Sequence, residues 1–280
     1  MRWRQSRESQ NVQDYRGRAT GGGGGLKLGL GGIVLAVIAY FVGGPQLVMS
    51  LLSGAGSAPT TEEPVPAGSP NDEAGQFVSH VLGDTEETWT AIFSRAGREY
   101  PPPYLVLFDD GINTGCGSAT SAAGPFYCPN DRKLYIDLAF FRQLETEFAA
   151  QGDFARAYVI AHEVGHHVQH LRGTDDEVRR LQQEDPDQAN PQSVRLELQA
   201  DCYAGVWAHA VFDQLDPGDV EEAITASEAV GDDRLQRRAR GDVDPDSFTH
   251  GSSAQRAKWF RKGQAAGQPA DCDTFGVDEV

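Results

Sequence analysis

Hydrophobic and polar positions follow three different rhythms along this chain. From Leu28 to Val42 the run LGLGGIVLAVIAYFV carries no charge, and Leu47, Val48, Met49, Leu51 and Leu52 continue it beyond Pro45. A bilayer-spanning helix needs about 20 mostly apolar residues. Residues 28–52 therefore read as a transmembrane signal anchor kinked at the proline, with a cleaved signal peptide as the alternative. The next stretch, 53–75 (SGAGSAPTTEEPVPAGSPNDEAG), has almost nothing to bury and reads as a flexible linker.

From residue 76 onward the rhythm is that of a globular domain. Phe77, Val78, Val81 and Leu82 recur at helical spacing, as do Trp89, Ile92 and Phe93 behind a cap at Asp84 or Thr85. Pro101 to Pro103 stop the helical pattern, and Tyr104–Phe108 (YLVLF) has the continuous apolar character of a buried strand. Residues 109–131 hold four Gly, two Pro and two Cys and read as a loop. Lys133–Asp137 (KLYID) is a second strand candidate, followed by a helix over 138–149. The remaining pattern predicts helices over 153–171, 174–184, 191–212, 218–230 and 252–266. Thr174 with Glu177 fits a capping box, and Ser252 is placed as an N-cap. Many helices with a few strands near the front indicate an α+β fold, mainly helical with a small sheet, over 76–280.

Composition and charge narrow the setting. The 280 residues carry 24 Lys and Arg against 41 Asp and Glu, a net charge of −17. That acidity excludes nucleic acid as a principal partner, because phosphate binding needs a basic face. The charge is uneven, +4 over residues 1–52 and −21 over the rest. The positive-inside rule then assigns 1–27 as a basic cytoplasmic N-terminus and places the domain outside the cytoplasm, on a single-pass membrane protein. All four cysteines lie beyond the anchor, where disulfides persist. Of the three connectivities four cysteines allow, Cys116–Cys128 would close the glycine-rich loop and Cys202–Cys272 would tie the C-terminal tail to a central helix.

The chemistry lies between His162 and Asp201. The segment AYVIAHEVGHHVQH contains His162-Glu163-Val164-Gly165-His166, an HExxH pattern on an apolar helix. Residues i and i+4 of a helix differ by about 40° in azimuth and about 6 Å in rise, so two imidazoles at that spacing can converge on one Zn²⁺. Glu163, beside the first ligand, can reach a water activated by the metal without taking a coordination position. Further on, Glu197-Leu-Gln-Ala-Asp201 places two carboxylates on one helical face. Glu197 completes a His₂Glu site, and Asp201 is placed to accept a hydrogen bond from the other nitrogen of His162. The remaining histidines read as ordinary. His170 lies two turns, about 12 Å, from His162, and His167 points about 100° off the ligand face. His80 and His209 are assigned no site role. The acidic run from Asp175 to Asp187 reads as a solvated connection between the two zinc helices.

The segments HEVGHHVQH and SVRLELQADCYAGVWA, with GPFYCPNDRKLYIDLAFF (124–141), GDDRLQ (231–236) and FTHGSSAQRAKWF (248–260), resemble the neutral zinc metallopeptidase family of bacterial membrane-anchored proteins. The resemblance covers roughly residues 75–275. It implies a zincin-like fold and a zinc-dependent peptidase acting on protein or peptide, with Glu163 as general base. It also points to His250, in the Thr-His-Gly turn before the last helix, as the residue that stabilises the oxyanion; a loop histidine capping that helix is the alternative. Tyr203 and Tyr135 are weaker candidates. The strand Leu134–Asp137 either pairs with an extended substrate or is merely structural. A non-catalytic module, in which zinc only holds helices together, is the competing function.

Overall fold

A computed structural model describes residues 1–18 and 65–280. A single 3-10 turn, Trp3–Gln5, and then a strand, β1 (Val12–Asp14), form within the basic N-terminal segment. The helix α1 (Glu73–Arg95) follows residue 65 and is capped by the Asp72 carboxylate, which accepts the Gly75 N–H at 3.1 Å. It runs unbroken through Asp84 and Thr85, so the cap expected there does not form. Both side chains are buried inside the helix, and Thr85 Oγ1 donates to the Leu82 carbonyl at 2.7 Å.

The sheet comprises β1, β2 (Tyr104–Phe108), β5 (Phe126–Cys128) and β6 (Lys133–Asp137), in the order β1-β2-β6-β5. β1, β2 and β6 are parallel, and β5 is antiparallel to β6. The segment expected to be a loop also folds β3 (Gly111–Thr114) against β4 (Gly117–Thr120) as a hairpin. These two strands are four residues long and mostly Gly, Ser, Ala and Thr, so they lack the apolar alternation that marks a strand in sequence. The disulfide Cys116–Cys128 joins the hairpin to β5.

Seven helices follow among the described residues: α2 (Ala139–Thr146), α3 (Asp153–Arg172), α4 (Thr174–Glu184), α5 (Ala189–Ala210), α6 (Asp219–Ala229), α7 (Asp232–Arg240) and α8 (Ser253–Ala266). The sequence pattern misses α7, whose only large apolar residue is Leu235. Its ends complement the helix dipole, with Asp232 and Asp233 in the first turn and Arg237, Arg238 and Arg240 in the last. The expected Thr174 capping box is absent. Gly173, at φ +77°, ends α3 in the left-handed region and starts α4 directly, so no side chain caps it. Ser252 does cap α8, in a reciprocal box with Gln255.

α3 lies at the centre. Phe154 stacks on Trp207 of α5 with ring centroids 5.4 Å apart, and Tyr158 meets Phe260 of α8 edge-on at 5.5 Å. α5 and α8 pack closely because Gly205 and Gly263 face each other's backbones; a Cβ at either would overlap Phe260 O or Cys202 O. The disulfide Cys202–Cys272 closes a 70-residue loop beside that contact. Constraining a loop of that length stabilises the fold by about 4 kcal/mol in the chain-entropy view.

The domain boundary at residue 76 is corrected by the N-terminal segment. Residues 1–18 are built into the same body as 65–280. β1 pairs with β2 in register Val12↔Leu105, Gln13↔Val106, Asp14↔Leu107. Trp3 packs edge-on against Phe77, and the backbone at Arg7 passes so close to Gly83 that no Cβ would fit. The buried Glu86 carboxylate accepts hydrogen bonds from Arg7, Ser9 and Asn11. The chain on either side of the apolar run lies side by side: Gly68 N donates to Val12 O at 2.9 Å and Val65 N to Tyr15 Oη at 3.2 Å. The span assigned to 28–52, and the linker up to residue 64, lie outside the described residues. Among the described residues no helix is long and apolar enough to cross a membrane.

One folded body occupies one side of any membrane. A single crossing between residues 18 and 65 would divide β1 from β2, so a cytoplasmic N-terminus below an external domain is incompatible with this sheet. Single cysteines in the full chain, Gln10→Cys and Asp187→Cys, both at exposed positions, test this because all four native cysteines are disulfide-bonded. A membrane-impermeant maleimide is expected to treat both alike in intact cells. Labelling of one alone, with the other reached only after permeabilisation, would show that the two segments are separated.

Candidate metal centre

The close crossing of α3 and α5 builds the site. Gly165 lies against Ala200, where a Cβ would come 3.0 Å from the Ala200 carbonyl and 3.1 Å from its Cα. With no side chain between them, the helices bring Glu197 onto the face that carries His162 and His166. The imidazole Nε2 atoms of His162 and His166 are 3.2 Å apart. Glu197 Oε2 lies 3.2 Å from His162 Nε2, and Oε1 lies 3.4 Å from His166 Nε2. Among the described residues these three form the one His/Cys/Asp/Glu group able to hold a metal ion.

The hydrogen bonds around the imidazoles set their tautomers. His162 Nδ1 lies 2.9 Å from Asp201 Oδ1, and His166 Nδ1 lies 2.9 Å from Gln169 Oε1. Both partners are acceptors, because the Gln169 amide nitrogen already donates to Leu196 O at 2.7 Å and to Gln199 Oε1. Each Nδ1 therefore carries a proton, and each Nε2 faces the point at which the Glu197 carboxylate is also directed, where its lone pair is open to a metal once the second proton is lost. Deprotonated, these three buried acceptors repel one another, and a cation between them, a metal ion or protons on the imidazoles, relieves that repulsion. A tetrahedral zinc with arms of about 2.0–2.1 Å separates its ligands by roughly 3.3 Å, which matches the distances here. The donor set and its geometry fit Zn²⁺.

Electrostatics agree with these roles. Burial would push the Glu197 carboxyl up, but the His166 and His250 imidazoles outweigh it and hold the group well below the usual range. Burial likewise opposes ionisation of Asp201, yet Arg256 and His162 keep its pKa low. Glu163 differs. It is 7% exposed, its pKa is raised by burial, and its carboxylate is tied to no described side chain. It stands one residue from His162, free to exchange a proton.

His250 sits in the turn between α7 and α8. Asp232 Oδ2 accepts the backbone N–H groups of Thr249, His250 and Gly251 at 2.7, 2.7 and 3.1 Å, and Oδ1 lies 3.6 Å from His250 Nδ1. That turn brings the imidazole into electrostatic reach of Glu197. It does not cap α8, since Ser252 does.

Other expectations fall away. Tyr203 packs in the core against Trp89, and the Tyr135 hydroxyl donates to Asp131 at 2.7 Å. β6 lies between β2 and β5 with both edges hydrogen-bonded, so an extended peptide cannot add to it. His167 is a core histidine between Pro101 O and Tyr127 Oη, with its pKa lowered to about 4 by burial. His170 pairs with Asp175 at 3.0 Å.

Three contributors escape the sequence reading. Gln169 was visible in principle, as an amide three residues after His166 on the helical face that carries His162 and His166. Tyr158, whose hydroxyl donates to Asp201, and Arg256, which forks onto it, come from one turn before the motif and from a helix 55 residues beyond Asp201. No spacing rule links Arg256 to the motif.

Comparison with known proteins agrees with the geometry. The family described as "Putative neutral zinc metallopeptidase" matches residues 1–275, including the N-terminal segment that completes the sheet. The uncharacterized protein YpfJ of Escherichia coli (strain K12) is 47% identical, with 99% of each chain covered. The uncharacterized protein Rv2575 of Mycobacterium tuberculosis (strain ATCC 25618 / H37Rv) is 41% identical over 74% of each chain. No solved structure matches the chain. With its HExxH helix and a family match over nearly its whole length, this chain belongs to the neutral zinc metallopeptidase family.

Proposed function

We propose that the protein is a zinc-dependent peptidase that hydrolyses peptide bonds of protein or peptide substrates outside the cytoplasm. The observation that carries this reading is Glu163. A metal site that merely holds helices together has no use for a buried, untethered carboxylate one residue from a ligand.

His162, His166 and Glu197 would hold the ion. When bound, zinc supplies Lewis acidity that polarises the scissile carbonyl and lowers the pKa of a water. Glu163 takes the proton of the attacking water and returns it to the leaving amine, and the raised pKa that burial imposes suits a group that must do both. His250 supplies a hydrogen bond to the developing oxyanion. Asp201 and Gln169 hold the two imidazoles in the required tautomer. The sheet edge that packs on the metal-ligand helix is β5, whose Tyr127 ring lies against His167 and His170 of α3. Being the terminal strand, β5 offers backbone groups to an extended peptide where β6 cannot. The two disulfides support an oxidising compartment. Attachment to the membrane rests on the apolar sequence 28–52 alone.

Three outcomes are expected. Glu163→Gln should keep its zinc and lose roughly 10²–10⁴-fold in kcat on a generic protein substrate; equal activity in both proteins would leave the non-catalytic reading standing. His250→Ala should lower kcat by about 10²–10³-fold with little change in KM, read from steady-state kinetics. The third concerns protons. Burial disfavours a charged His162, but the Asp201 carboxylate outweighs it and carries the pKa up to about 10 in the metal-free site. Below that pH His162 is protonated and coordination must displace the proton. Zinc affinity should therefore rise with pH, roughly tenfold per unit for one proton displaced, in competition titrations between about pH 6 and pH 8.

A further inference from the structure

Arg256 is 3% exposed and lies near the start of α8, and nothing in the catalytic scheme above uses it. Its Nε donates to Asp201 Oδ2 at 2.8 Å and its Nη2 to Asp201 Oδ1 at 2.9 Å, a two-pronged bond onto one carboxylate. The same Nη2 reaches the Tyr158 hydroxyl at 3.2 Å, and Nη1 lies 3.4 Å from the Val230 carbonyl. Asp201 Oδ1, gripped in this way, faces His162 Nδ1 at 2.9 Å. Arg256 thus reaches the proposed metal through Asp201 and His162; its Nη2 also lies 3.4 Å from His162 Nδ1, and the Tyr158 hydroxyl donates to the same Asp201 Oδ1.

We infer that Arg256 is a positioning residue that sets how tightly the site holds zinc, by fixing the plane of the Asp201 carboxylate that orients His162. The inference rests on the zinc reading. A carboxylate on a single rotatable bond can turn either oxygen toward His162, or neither. The guanidinium fork takes both oxygens at once and leaves Oδ1 facing the imidazole. Lysine, a single-point donor, cannot impose that orientation. The remaining contacts around Arg256 make this role separable from folding. α8 is held on α5 without it, by the Gly205–Gly263 approach, the Cys202–Cys272 disulfide and the buried Trp259 and Phe260. Loosening the fork should therefore be felt at the metal before it is felt in the fold.

The test compares the full chain with Arg256→Lys, Arg256→Met and His162→Ala. Zinc dissociation constants come from competition with a chromogenic chelator, and thermal midpoints are taken metal-free and zinc-loaded. Arg256→Lys is expected to bind zinc about 10–100-fold more weakly, the usual effect of losing a group that orients a ligand. Its metal-free midpoint should stay close to that of the unmodified protein, while the rise on adding zinc shrinks. Arg256→Met should repeat the weakening; if it fails to fold, the lysine variant carries the test alone. Unchanged zinc affinity in Arg256→Lys would overturn the inference. So would a fall of the metal-free and zinc-loaded midpoints by equal amounts. If the unmodified protein and His162→Ala bind zinc equally, the metal reading fails instead.

Discussion

Three lone pairs directed at one buried point, from His162, His166 and Glu197, are the arrangement on which the rest of the molecule depends. A polypeptide does not hold such an arrangement bare, since each acceptor would repel the other two where burial removes the screening water, so the site must carry a metal ion or protons. The surroundings are arranged accordingly. Each imidazole gives its Nδ1 proton to a neighbour, Asp201 or Gln169, and each neighbour is itself held in place. The order seen in the inner ligands is thus imposed from outside, by side chains on three different helices.

The helix crossings explain how side chains so far apart in sequence reach one point. α3 and α5 approach at Gly165 and Ala200, and α5 and α8 approach at Gly205 and Gly263. Both contacts use residues with little or no side chain, so the backbones come close enough for short polar groups to meet across them. Asp201 lies between the two crossings on α5, within about one turn of each. It touches His162 on one side and Arg256 on the other because the two interfaces flank it. The disulfide Cys202–Cys272 starts at the next residue and pins the C-terminal tail beside the second crossing.

The N-terminal segment obeys a different constraint. A parallel strand cannot be supplied by a hairpin and must come from a distant part of the chain. β1 comes from about 90 residues before β2, with the apolar run in between. Its residues, VQD, are too few and too polar to signal a strand, and the five arginines around them read as a basic tail. In the fold Arg7 instead pairs with buried Glu86, and Arg16 bridges Asp14 and Asp72. The same charges that suggest a membrane orientation serve as internal ties, which a charge count does not reveal.

The sequence by itself determined what is local and periodic. A four-residue spacing of histidines, a four-residue spacing of Glu197 and Asp201, and the long apolar helices that carry them are consequences of one helical repeat, legible without coordinates. The strands YLVLF and KLYID were equally plain because they are buried on both faces. What only the tertiary structure decided is what depends on two elements meeting. Gln169 is committed to His166 only once Leu196 and Gln199 hold its amide. Arg256 belongs to the site only because α8 docks at Gly263. The sheet has its fourth strand only because residues 12–14 return to Leu105, and β6 is closed to substrate because β5 covers its edge. Periodicity reports which face of an element is buried; it carries no information about which other element buries it.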